Sequence, residues 1–211
     1  MNVELIRYTD DPYSVIYFAG KACAYDHLSF RPVVEGVSRE EKERFIERLI
    51  RAGHESVLEH VSFTFYIQGI SRVASHQLVR HRMASYSQLS HRRMVKSPSF
   101  ILPDSLSGLE EKELGTVKNF LLVATKLYNS LVEGGIPEED ARYFLPQAVT
   151  TSIVVTFNLR SLRNFLRLRM APQASPEIRE LASRIFEMVS SLFPAFFVDF
   201  SVEGSGREGE I

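Results

Sequence analysis

Val61-Ser62-Phe63-Thr64-Phe65-Tyr66-Ile67-Gln68 decides the fold class of this chain. Apolar residues at the odd positions alternate with polar or amphipathic ones at the even positions, and a period of two marks a half-buried strand. Upstream, Ser38-Arg39-Glu40-Glu41 is a capping box, and Phe45, Ile46, Leu49 and Ile50 then repeat with helical spacing until Gly53, a natural stop. Residues 3–8 suit a short strand, and Ser14 to about Ala24 a helix of small residues. Downstream, residues 71–82 suit a helix, followed by a polar loop from Ser85 to Arg93. Residues 108–133 suit one long helix or two, halted by Gly134-Gly135, and Pro137 suits the start of a short helix to about Leu145. Ala148 to Phe157 is β-branched and strand-like, 160–170 is helical, and Ser175-Pro176 opens a last helix to about Phe193. Strands mixed with clustered helices, without regular β-α alternation, imply an α+β fold with a mixed sheet. A single oligomeric domain over 1–200 is expected, with 201–211 as a loose tail.

Composition narrows the function. The chain has 211 residues, 45% hydrophobic and 24% charged, which suits a globular protein and excludes a disordered one. Its net charge of −1 speaks against a general binder of nucleic acid or anionic membranes. The single cysteine, Cys23, excludes an intrachain disulfide framework and cysteine-cluster metal sites. Flanked by Ala22 and Ala24, it reads as a small buried hydrophobe rather than a nucleophile. No apolar run approaches the roughly 18 residues of a membrane span, and the opening residues lack a signal pattern, so a cytoplasmic protein is expected. Arginine supplies 19 of the 25 basic residues, a bias toward planar forks that suit carboxylates and phosphates.

Two motifs fail on context. Gly204-Ser205-Gly206-Arg207-Glu208-Gly209 matches G-x-G-x-x-G, but the chain runs out two residues later, where a helix would have to follow. His54-Glu55 begins like H-E-x-x-H, but position 58 is Leu58 and the next histidine is His60, so no metal site is expected.

Three segments concentrate charge, hydroxyls and amides. The first is Gly53 to His60, which is equally a polar lead-in to the strand. The second runs from His76 to Arg93 and includes Arg80, Arg82, Ser85, Ser87, Ser90, Arg92 and Arg93. On a helix Arg80 and Arg82 would lie about 200° apart and would serve different ligands. The serines and arginines beyond them suit a phosphate cradle, a solvated basic face or an RNA patch. The third is Asn158 to Arg169, where Leu162, Phe165, Leu166 and Arg169 share one helix face. A guanidinium there needs an anion or polarised carbonyl, unless it snorkels at the helix end.

Together these residues resemble the flavin-dependent thymidylate synthases. That family's hallmark is R-H-R with a serine eight positions after its last arginine, as in Arg80-His81-Arg82 and Ser90. The resemblance extends through Gly53-His54-Glu55-Ser56, Ser71-Arg72, Ala84 to Gln88, Asp140-Ala141-Arg142-Tyr143, Asn158 to Leu162 and Glu177-Ile178-Arg179. Departures at Arg93, Leu159 and Ser175 remove no charged group. The resemblance implies C5 methylation of dUMP to dTMP, with methylenetetrahydrofolate as one-carbon donor, NADPH as reductant and FAD as mediator. It implies a homotetramer with shared sites and no cysteine nucleophile. For dUMP it points to Gln77, Leu78, Val79, Arg80, Gln88, Leu89, Ser90, His91, Arg92, Arg142 and Arg169. For FAD it points to His54, Ser56, Arg80, His81, Arg82, Gln88, Asn158, Leu159, Arg160 and Asn164. Arg169 is the expected catalytic residue, facing the pyrimidine. A non-enzymatic nucleotide- or RNA-binding module built on Arg80 to Arg93 is the alternative.

Overall fold

A computed structural model describes residues 1–90 and 98–200. His91 and Arg92, both expected at the nucleotide, and Arg93 lie outside the described residues, as does the tail 201–211. In chain order the elements are β1 (Asn2–Tyr8), α1 (Pro12–Ala22), α2 (Phe30–Val34), α3 (Arg39–Arg51), β2 (Ser62–Ser71), α4 (Arg72–Leu78), β3 (Ala84–Gln88), α5 (Glu111–Glu133), α6 (Glu138–Ala141), β4 (Thr150–Asn158), α7 (Leu159–Arg169) and α8 (Pro176–Leu192). Short 3-10 turns include Glu55–His60 and Pro194–Phe197.

The strands form one sheet in the order β1-β2-β4-β3. The expected mixed sheet is antiparallel, as the register shows. Thr9 N–H donates to Ser62 O at 3.0 Å while Asn2 bonds Gln68 through their side-chain amides, so rising numbers on β1 meet falling numbers on β2. Likewise Leu159 N–H donates to Val61 O at 2.7 Å and Arg72 N–H to Val149 O at 3.1 Å. The alternation seen in the sequence is physical: Phe63, Phe65 and Ile67 are fully buried while Ser62, Thr64 and Tyr66 are only partly covered.

By contacts the chain divides into two compact units. One comprises Glu4–Phe65, His81–Ser85 and the chain from Thr156 onward. Its helices cover a core that includes Ile16, Ile46, Leu58, Phe157, Leu162, Phe165, Ile185 and Phe196. Each fully buried aromatic or aliphatic side chain contributes roughly 1.5–3 kcal/mol. α1 lies so close to α3 that a Cβ at Gly20 would sit 2.7 Å from the Phe45 ring. α3 begins as expected, with Ser38 Oγ accepting from Glu41 N–H, and ends before Gly53 at φ 76°. α7 is capped by Asn158, whose Oδ1 accepts from Ser161 N–H at 2.8 Å, and Phe157 stacks on Phe165.

The other unit comprises Met1–Val3, Tyr66–Arg80 and Tyr86–Val155. Here two expectations are corrected. The helix expected over 71–82 runs over Arg72–Leu78, and Tyr86 O–H donates to Leu78 O at 3.0 Å, satisfying a last-turn carbonyl. Arg80 and Arg82 are therefore not on a helix, and helical geometry does not hold them about 200° apart. The segment expected as a loop from Ser85 contains β3, with Leu89 N–H donating to Ser152 O at 2.9 Å. Its Ala84, Tyr86 and Gln88 are partly buried while Ser85, Ser87 and Leu89 are exposed, a period of two written in polar residues. α5 is one helix rather than two. α2, which the sequence did not suggest, is a single short turn in the other unit.

Candidate functional site

In the unit that holds α4 and the Tyr86–Gln88 part of β3, several nucleotide-site expectations gather around those two elements. Leu78 is fully buried, Gln77, Val79 and Ser90 are partly covered, and Arg80 and Leu89 are exposed. Gln88 is held from behind: its Nε2 donates to Ser75 Oγ at 2.9 Å and to Thr151 Oγ1 at 3.3 Å. Arg142 is exposed, with Nε donating to Glu139 O at 3.0 Å.

Arg142 shares a cleft of about 240 Å3 with Arg72, Tyr143 and Gln147. Neither arginine has an ion pair among the described residues. Burial, and then the neighbouring Arg142 charge, make Arg72 easier to deprotonate than a free arginine. Two guanidiniums lining one cleft, with no carboxylate among its described lining residues, suit an anion. Arg72 had been given no role; its signal was its place directly after the capping serine Ser71, which fixes it at the start of α4.

In the other unit, the turn from Glu55 to His60 carries exposed His54 and Ser56 at its start. Ser56 and His60 join Phe18, Cys23, Phe30 and Val57 around a mostly apolar cleft of about 630 Å3. The expectation for Cys23 is corrected here: the residue is exposed, because α1 ends at Ala22 and leaves Cys23 at its cap. Its neighbour Ala22 lines the same cleft, and Ala22 and Ala24 are both exposed rather than sealed in a core.

At α7, Asn158 is engaged as the cap and Leu159 is fully buried, so Leu159 can offer a ligand only its backbone. Arg160 is half exposed and ion-paired to Glu59 at 2.6 Å, which holds its charge more firmly than in a free arginine. Asn164 and Arg82 are exposed.

Arg169, expected beside an anion or polarised carbonyl or else snorkelling at the helix end, meets an imidazole within this unit. Its Nε–H donates to His81 Nε2 at 2.9 Å, and the imidazole packs edge-on against Phe165, 5.0 Å between centroids. Burial first, then the Arg169 charge, push the His81 pKa down to about 4. His81 is therefore a neutral acceptor at physiological pH, orienting a guanidinium without neutralising it. Among the described residues the fully buried arginine of α7 is Arg163, not Arg169. Its angular position beside Leu162 and Leu166 was the overlooked signal.

The model of the thymidylate synthase complementing protein family matches residues 4–195. The flavin-dependent thymidylate synthase of Geobacter sulfurreducens is 40% identical over 202 residues, covering 94% of this chain and 86% of that protein. The enzyme of the same name from Sulfurisphaera tokodaii is 42% identical over 197 residues, covering 93% of this chain and 76% of its own. That from Pyrococcus abyssi is 40% identical over 196 residues, covering 90% and 79%. Carrying the R-H-R triplet and the distant serine on a chain matched nearly end to end, this protein belongs to the thymidylate synthase complementing protein family, the flavin-dependent thymidylate synthases.

Proposed function

We propose a distribution of roles over the residues of this FAD-dependent thymidylate synthase, which methylates dUMP at C5 to give dTMP, with methylenetetrahydrofolate as one-carbon donor and NADPH as reductant. The observation that carries it is the pair Arg72 and Arg142, two arginines on one cleft with no ion pair among the described residues. A nucleotide phosphate supplies the anion such a pair lacks, and bidentate guanidinium contacts suit it. Gln77, Leu78, Val79, Arg80, Gln88, Leu89 and Ser90 form the remaining described part of the nucleotide site, with Gln88 fixed by Ser75 and Thr151. His91 and Arg92, also expected at the nucleotide, lie outside the described residues.

Arg169 is assigned to the uracil carbonyls. A cation there favours the N3-deprotonated ring and raises electron density at C5, which replaces the activation that a thiol adduct gives in other thymidylate synthases. His81 supports this role as a neutral acceptor that leaves the positive charge of Arg169 intact.

The residues fit FAD. The apolar cleft beside Ser56 suits a flat ring, Arg82 and Arg160 suit phosphates, and His54, His81, Asn158, Asn164 and the Leu159 backbone suit polar edges, with Arg80 and Gln88 serving both ligands. When bound, FAD supplies the redox chemistry of one-carbon transfer.

A homotetramer with shared sites is supported by α5, which exposes Phe120, Val123 and Leu127 at helical spacing. The match over residues 4–195 supports residues 1–200 as one functional domain. A cytoplasmic location accords with the described helices, none of which is long and apolar enough to cross a membrane.

Product analysis tests the reading. Purified protein given dUMP, methylenetetrahydrofolate, NADPH and FAD should yield dTMP, and omission of FAD should abolish it. Absence of dTMP from folded, flavin-loaded protein would overturn it.

A further inference from the structure

Glu55 stands between His54 and Ser56. Both neighbours are exposed, whereas Glu55 turns back toward α7 with its side chain only 22% exposed. Three arginines of α7 converge on this one carboxylate. Arg163 Nη2 donates to Glu55 Oε1 at 3.1 Å, Arg167 Nη1 donates to the same oxygen at 3.5 Å, and Arg160 Nε lies 3.9 Å from Oε2. Arg163 is the centre of the group and is fully buried. Its Nη1 donates to the Phe196 carbonyl, its Nη2 also donates to Asp199 Oδ2 at 2.8 Å, and its guanidinium lies 5.3 Å from the Phe200 ring centre. Arg167 closes the network on Asp199.

A buried ion pair contributes little net stability, because desolvation consumes most of the Coulomb gain. A buried arginine does supply fixed geometry, since its planar fork holds several acceptors at once. That geometry has a use at this turn. Gly53 is at φ 76°, and the 3-10 turn Glu55–His60 has no side-chain cap. The Glu55 carboxylate is the side-chain anchor that sets which way His54 and Ser56 face.

We propose that Arg163 is a positioning residue for the flavin site. Through Glu55 it fixes the turn that presents His54 and Ser56, and through Asp199 and the Phe196 carbonyl it makes the segment after α8 part of the same support. This rests on the assignment of His54 and Ser56 to the flavin side.

The test compares Ser56→Ala, Glu55→Gln and Arg163→Lys in the full chain, measuring FAD affinity by fluorescence titration, dUMP affinity by calorimetry, and Tm. Arg163→Lys keeps the charge but loses the fork, and Glu55→Gln keeps the shape but loses the charge. Both should weaken FAD binding roughly tenfold or more, as expected for a lost charge-assisted contact, with dUMP affinity held within about twofold. A folded Glu55→Gln protein with wild-type FAD affinity, beside a weakened Ser56→Ala, would overturn the positioning role. Parallel loss of FAD affinity, dUMP affinity and Tm would overturn it too, by showing a purely structural role. If Ser56→Ala itself binds FAD normally, the flavin assignment fails and the inference falls with it, by a different signature.

Discussion

Arginine does opposite work in the two units. In one, Arg72 and Arg142 line a common cleft with no ion pair among the described residues, and burial and then the Arg142 charge make Arg72 easier to deprotonate. In the other, Arg160, Arg163 and Arg167 are matched by Glu55, Glu59 and Asp199. The first arrangement carries the proposed nucleotide-phosphate contact. The second has its charge requirements met internally and serves geometry. Residue type alone therefore says little about function; whether the fold has already supplied the counter-charge says much more.

The largest expected effect breaks the comparison on stability. Arg163→Met takes the buried partner from two carboxylates and should cost about 3 kcal/mol in urea unfolding, the lower end for breaking a buried pair because Arg167 still pairs with both Glu55 and Asp199. Arg72→Met removes a partly buried charge that has no ion pair among the described residues and should leave the midpoint unchanged or raise it. Equal losses in both would show that the two sets of arginines are alike.

Next comes Arg169, which donates to a neutral ring. Arg169→Ala should weaken dUMP binding by about 1.5–3 kcal/mol and lower the methylation rate while FAD stays bound. Ultraviolet titration of bound dUMP should show its N3 pKa rising. An unchanged N3 pKa at saturating nucleotide would remove Arg169 from ring activation.

Arg72→Ala and Arg142→Ala should each weaken dUMP binding about tenfold, with a shallower salt dependence than wild type. Deoxyuridine, which lacks the phosphate, should bind all three proteins alike in calorimetry. A matching loss for deoxyuridine would place these arginines on the base or sugar.

The smallest effect is a pH slope. The folded His81 pKa, about 4, lies below the unfolded value near 6.5, so the unfolded chain binds more protons between them. This contribution to stability is fully present above about pH 6.5 and is lost as pH falls toward 4. Thermal unfolding of wild type and His81→Asn from pH 7 to 4.5 should show a flatter profile for the variant. Identical slopes would mean that His81 titrates normally.

Much of the fold was legible because its signals are local. The alternation at Phe63, Phe65 and Ile67, the Ser38 cap and the Gly53 stop each depend on neighbours a few residues away. β3 was missed because its alternation is written in serine, tyrosine and glutamine, which mimic a loop until tertiary partners such as Ser75 and Thr151 take up their hydrogen bonds. Cys23 was misjudged because its alanine neighbours suggested a core, while burial depends on what lies across from it in space.

By itself the sequence determined the residue types and their order: the R-H-R triplet, the serine that follows, Arg142 and Arg169, and hence the family and its chemistry. Only the tertiary structure decided which charges are already matched. It brought Arg72 to Arg142, aimed Arg169 at His81, and buried Arg163 against Glu55 and Asp199, 108 and 36 residues away along the chain. Charge compensation falls off with distance through space and is blind to sequence separation, so it cannot be read from a one-dimensional pattern.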